Sequence, residues 1–166
     1  MSNEVYAALF GVLAGGFIQT FLAYFDRRRE TESVLTALAA EVDAICRLLR
    51  HRRYLDVTRE SLRYIEKGGE PNYLSAEIRQ NYFAVFDALS PKLGMISPDK
   101  AAKIVNFYAY CKSVIDSTLP DSELSKGANP DDLKQNLLEV ERLLTAVLLL
   151  GDEIVQLPKL SLAEIK

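Results

Sequence analysis

Few side chains in this sequence could do chemistry, and they are scattered. The single histidine, His51, lies in the arginine-rich run Arg47-Leu-Leu-Arg50-His51-Arg52-Arg53. One imidazole in such a run does not point to a nucleophile–base–orienter triad. Neither a GxGxxG nor a Walker A pattern is present, so no phosphate-cradling loop is indicated. Asp131-Asp132 and Asp152-Glu153 are adjacent pairs. Neighbours on a helix diverge by about 100°, so neither pair chelates one ion alone. They read as helix-dipole and solvated-face carboxylates. Cys46 and Cys111 have neither metal spacing nor a disulfide framework and read as small buried apolar residues of a reduced compartment. No catalytic residue, metal or cofactor is expected, and an enzyme is the least supported class.

The one concentrated feature is basic: Arg47, Arg50, His51, Arg52 and Arg53, followed by Arg59 and Arg63. Two readings stand. The arginines pair with carboxylates of the same fold or a neighbour, such as Asp43, Asp56 and Glu60, or they meet an anionic ligand, RNA or a nucleotide. Only Tyr54 and Tyr64 lie nearby, so base stacking finds no support.

The elements that hold these residues begin with an apolar one. Val5 to Phe25 is 21 residues without a charge, about 30 Å as a helix and the thickness of a bilayer's hydrocarbon core. Tyr6 and Tyr24 fit the aromatic belts at its ends. A cleaved signal peptide would open on positive charge, and this chain opens Ser2-Asn3-Glu4. A buried soluble helix is rarely apolar on every face, and an interfacial one shows a polar face. A transmembrane helix is therefore expected. Arg27, Arg28 and Arg29 follow it directly, fit headgroup contact, and place the N-terminus outside and the rest in the cytoplasm of an inner membrane. Ala7, Gly11, Gly15, Gln19 and Ala23 recur every four residues, with a GxxxG step that favours self-association in lipid. Gln19 and Thr20 would line a narrow wet path if a ring of such helices formed.

Beyond the span the pattern is helical throughout, and no segment alternates with period two. Leu35, Leu38, Val42, Ile45 and Leu49 form an a/d seam, and neither Gly nor Pro falls between Ile18 and Lys67. One long helix is expected from the span through the seam, running on weakly to Lys67 before Gly68-Gly69 and Pro71. Aromatic-rich helix is expected over Ala76 to Leu89. Ser97-Pro98-Asp99 and Asn129-Pro130-Asp131 read as helix starts. The first of these helices should bury Ala101, Ile104, Val105, Tyr108, Cys111, Val114 and Ile115. The second should bury Leu133, Leu137, Val140, Leu144, Val147, Leu148 and Ile154 and end at Pro158. Leu148-Leu149-Leu150 suggests a turn buried deeply or meeting another subunit. The fold expected is all-α: an N-terminal tail and span over 1–26, a bundle of about four helices over 27–158, and a loose tail over 159–166.

This order of a short acidic start, a Gly-rich span, an Arg triplet and the helix Glu32-Ser-Val-Leu-Thr-Ala-Leu-Ala-Ala-Glu-Val resembles that of small single-pass prokaryotic membrane proteins. The block Leu93-Gly-Met-Ile-Ser-Pro-Asp-Lys also looks like that group. In layout it is similar to the membrane accessory proteins of type VI-B CRISPR systems. That resemblance implies an oligomeric, pore-like membrane protein serving antiviral defence. The Arg–His motif of HEPN-type ribonucleases, with which that family has been compared, is absent: Cys46, Ile45 and Ala44 occupy the positions five to seven before His51. The expectation is a non-enzymatic homo-oligomer that perturbs or permeates the inner membrane. The alternative is a membrane-anchored module binding a cytoplasmic protein, RNA or a nucleotide through Arg47 to Arg63.

Overall fold

The computed structural model describes residues 2–69, 81–119 and 130–163, and the side chains of 16–69, 81–119 and 131–158. Helix α1 is Ser2–His51, α2 Tyr54–Glu66, α3 Ala84–Leu89, α4 Pro98–Thr118 and α5 Pro130–Ala163, with a 3₁₀ segment, Ser90–Met95, after α3. Among the described residues there is no strand. The chain is all-helical, and α1 runs without interruption through its 50 residues, as the absence of Gly and Pro after Ile18 predicts.

The core lies where α1, α4 and α5 meet. Leu35, Leu38, Val42 and Ile45 of the a/d seam are buried, together with Ile104, Phe107, Tyr108 and Cys111 of α4 and Val147, Ile154 and Leu157 of α5. Helix α5 packs on α1, α2 and α4. Helices α4 and α5 start at the prolines the sequence marks. The Ser97 side chain makes no capping bond; its carbonyl accepts the Ala101 N–H at 2.9 Å.

Glu41, on the seam helix, anchors the aromatic segment. Its carboxylate accepts the backbone N–H groups of Val85 (2.7 Å) and Phe86 (3.0 Å) and the Tyr108 hydroxyl (2.7 Å). It thereby satisfies two of the open donors at the start of α3. The Tyr108 ring stacks on Phe86 with centroids 3.9 Å apart.

Four expectations need correction. The helix does not run on to Lys67: it breaks at Arg52-Arg53, where Arg53 takes the left-handed conformation, φ 54° and ψ 32°. Such a residue costs about 1–2 kcal/mol. The bend lets Leu62 of α2 bury against Leu133 and Leu137 of α5, and each such burial contributes about 1.5–3 kcal/mol. Long-range packing therefore wins over local helix propensity. Gly68, at φ 83°, then ends α2 as expected. Second, α3 begins only at Ala84, with Tyr82 and Phe83 in a turn before it; residues 76–80 of the expected helix lie outside the described residues. Third, Val105 is 44% exposed while Phe107 is fully buried. The buried face of α4 repeats as 104, 107, 108, 111, and Val105 sits about 100° off it.

Fourth, Pro158 does not end α5, which continues to Ala163, so 159–163 is helix rather than tail; residues 164–166 lie outside the described residues. A proline removes one backbone donor, a loss that packing of the adjoining turn offsets. Ile154 and Leu157, buried just ahead of Pro158, supply that packing here. Of the two readings of Leu148 to Leu150, deep burial does not hold for the whole turn: Leu149 is 63% exposed and the other two are half-buried.

Candidate functional site

Two regions carry the residues singled out by sequence. The first is the part of α1 ahead of the bundle. The first buried side chain of α1 among those described is Val34. Every described residue from Gly16 to Arg27 is exposed, including Phe17 (75%) and Tyr24 (62%). At 100° per residue, Phe17, Ile18, Phe21, Leu22, Tyr24 and Phe25 fall within an arc of about 160°. Gly16, Gln19, Thr20 and Ala23 occupy the opposite arc. The Thr20 hydroxyl donates to the Gly16 carbonyl at 2.8 Å, which removes its polar demand within the helix. Phe21 and Phe25 meet edge to face at 4.7 Å.

A helical rod bare of bundle packing, with bulky apolar side chains on one side and small ones on the other, is a surface that water disfavours. Exposed apolar residues gathered in this way mark a binding face for lipid or protein. Among the described residues no helix is long and apolar enough to cross a membrane. Residues 16–25 supply ten of the expected span. Ala7, Gly11 and Gly15, like the rest of 5–15, lie outside the described side chains. At the polar edge, Arg27 and Arg29 are exposed, and Arg28 pairs with Glu32 at 3.4 Å.

The second region is the basic end of α1. Arg47 pairs with Asp43 at 2.8 Å. Arg53 pairs with Asp56 at 3.1 Å and Glu60 at 3.5 Å. These are the three carboxylates that sequence named. Two partners come from α5, 102 and 82 residues away in sequence. The Arg50 guanidinium donates to both oxygens of Asp152, at 2.7 and 2.8 Å, and Arg59 donates to Glu141 at 2.8 Å. The Asp152 bond holds the Arg50 pKa above its usual value. Arg52 donates to the Tyr54 hydroxyl at 3.2 Å, and His51 is exposed. The cluster is thus largely engaged with the protein's own acids. Each pair is exposed and contributes little, about 0–1 kcal/mol.

The cysteines lie in the core. Burial pushes the Cys46 thiol up to about 11, an effect the nearby Arg50 charge opposes, and pushes Cys111 up to about 12. Both therefore stay protonated and poorly nucleophilic at neutral pH. Among the described residues no group of three or more His, Cys, Asp or Glu side chains is gathered that could hold a metal ion. Sequence reading missed Glu41, and its signal is faint: a carboxylate on the flank of an apolar seam.

Compared with protein-family models, curated proteins and solved structures, the chain matches none.

Proposed function

We propose that this is a non-enzymatic membrane-anchored protein whose α1 enters the bilayer and whose bundle stands on the cytoplasmic side. Copies associate through the small-residue face of α1 and so perturb or permeate the membrane. The observation that carries the reading is the bare rod over residues 16–25. Its wide bulky arc suits lipid, its narrow arc of Gly16, Gln19 and Ala23 suits a second helix, and its apolar character stops at Asp26 and the arginines. Burying those six bulky side chains in hydrocarbon contributes on the order of 10 kcal/mol, enough to hold the chain in a membrane. The resemblance in layout to CRISPR-associated membrane accessory proteins extends the proposal to a defence or stress role.

Carbonate extraction and blue-native electrophoresis test it. The chain should remain with membranes and migrate as an oligomer, Gly11→Leu with Gly15→Leu should dissociate the oligomer, and vesicles should leak dye less with Gln19→Leu. Release into the aqueous fraction would overturn the anchoring; a monomer unchanged by the glycine substitutions would overturn the assembly. The alternative, an anionic ligand held by Arg47 to Arg53, is weakened by the carboxylates paired with Arg47, Arg50 and Arg53.

A further inference from the structure

We propose that the 3₁₀ segment Ser90–Met95 is a second membrane-contact element, seated against the anionic phosphate headgroups of the bilayer that α1 enters. The proposal rests on the membrane reading above and deepens it by naming where the bundle touches the lipid surface.

Helix α1 is continuous from the exposed apolar rod into the bundle, so a residue fixed to it has a set height above the last apolar side chain. Phe25 to Glu30 is a rise of about 7.5 Å. A headgroup layer is about 5–8 Å deep, the difference between hydrocarbon and full bilayer thickness shared over two sides. Glu30 therefore stands at the outer edge of that layer. The 3₁₀ segment is tied to this level twice. Lys92 Nζ lies 2.6 Å from Glu30 Oε1, and the Thr31 hydroxyl reaches the Met95 carbonyl at 3.5 Å. Sixty residues of sequence separate these partners, and only the fold brings them to one height.

The segment's surface suits that place. Ser90, Pro91, Lys92 and Gly94 are exposed, and a side chain added at Gly94 would meet nothing within 4 Å. Lys92 pairs with Glu30, and Arg27 and Arg29 outnumber Asp26, the acid one turn nearer the lipid on the same face, at the headgroup level. The bundle then rests on the bilayer by its 3₁₀ end instead of hanging from α1 alone, and the contact strengthens with anionic lipid.

Site-specific quenching tests this on the full chain, with Cys46 and Cys111 left in their buried positions. Gly94→Cys, Phe17→Cys and Arg47→Cys each carry a bimane fluorophore in vesicles of phosphatidylcholine, with or without phosphatidylglycerol. The Gly94 label should be quenched several-fold more than the Arg47 label by a headgroup nitroxide lipid, and more so in the anionic vesicles. Lys92→Gln should lower the Gly94 contact about fivefold in anionic vesicles, one charge's share of surface attraction, and much less in neutral ones. An equal loss in both would make Lys92 a structural latch only and overturn its headgroup role. A Gly94 label as open to aqueous iodide as the Arg47 label, with the Phe17 label quenched by an acyl-chain nitroxide, would overturn the second contact and leave the anchoring intact. A Phe17 label open to iodide would overturn both.

Discussion

Gly151 sits buried inside α5, and its replacement by alanine separates helix propensity from packing. An alanine there improves intrinsic helix propensity by about 1 kcal/mol. Its Cβ would overlap the Cys46 Sγ of α1, and would stand 3.3 Å from Phe107 Cε2 of α4 and 3.6 Å from Val42 Cγ1. Cys46 is 1% exposed among fully buried neighbours, so its sulfur cannot swing into solvent. Overpacking costs about 1–3 kcal/mol, and an overlap this close with a sulfur that cannot move away falls at about 2–3, from which the propensity gain subtracts about 1. The net expectation for Gly151→Ala is a loss of about 1–2 kcal/mol, or roughly 3–6 °C in Tm for a chain of this size. Cys46→Ala alone should lose about 1 kcal/mol through the small cavity it leaves. Together they should restore wild-type stability, because the new methyl fills the space of the lost sulfur. The coupling would then be about 2 kcal/mol or more. Urea unfolding of the full chain in mild detergent, followed by helical circular dichroism, reads all four corners of the cycle. Simple addition of the two losses, or a single variant as stable as wild type, would refute the close approach of α1 and α5 at this point.

Three further outcomes follow from the same contacts. Arg53→Gly should be about 1 kcal/mol more stable than Arg53→Ala in the same urea assay, because both lose the ion pairs and only glycine takes the left-handed backbone freely. In a continuous helix the order would reverse, which makes the sign the test. Glu41→Gln should cost about 1–3 kcal/mol, since its amide nitrogen cannot accept from the Val85 or Phe86 N–H, whereas Tyr108→Phe should cost about 1 kcal/mol; equal costs would show that the hydroxyl, and not the α3 donors, is what Glu41 serves. The thiols give an alkaline limit: their pKa values rise from 9.0 in the unfolded chain to about 11 and about 12 in the fold, so their contribution is complete below pH 9 and is lost as pH climbs through 11 to 12. Cys46→Ala should therefore flatten the fall in stability above pH 9, and an unchanged profile would count against burial as the cause.

What this sequence determined by itself is what neighbouring residues decide. The 3.5-residue spacing of Leu35, Leu38, Val42 and Ile45 places them on one face, and all four are buried. Pro98 and Pro130 begin their helices because a first-turn proline loses no needed donor. Gly68 ends α2 because a glycine adopts the positive φ this position takes without strain. The chain of arginines also named its local partners, since Asp43, Asp56 and Glu60 lie within a turn or two of them.

Only tertiary structure decided the rest. Nothing local in His51-Arg-Arg-Tyr stops a helix; the gain from docking Leu62 on α5 does. Pro158 reads as a stop, yet the helix runs through it with Ile154 and Leu157 buried just ahead. Asp152, Glu141, Glu41 and Lys92 find their partners across 44 to 102 residues of sequence, a pairing that periodicity does not encode. Local spacing sets which face of each helix is apolar. Which helix meets that face, and at what height, is fixed by the summed burial of the whole fold, and so the level of the 3₁₀ segment against α1 could be read only from the folded chain.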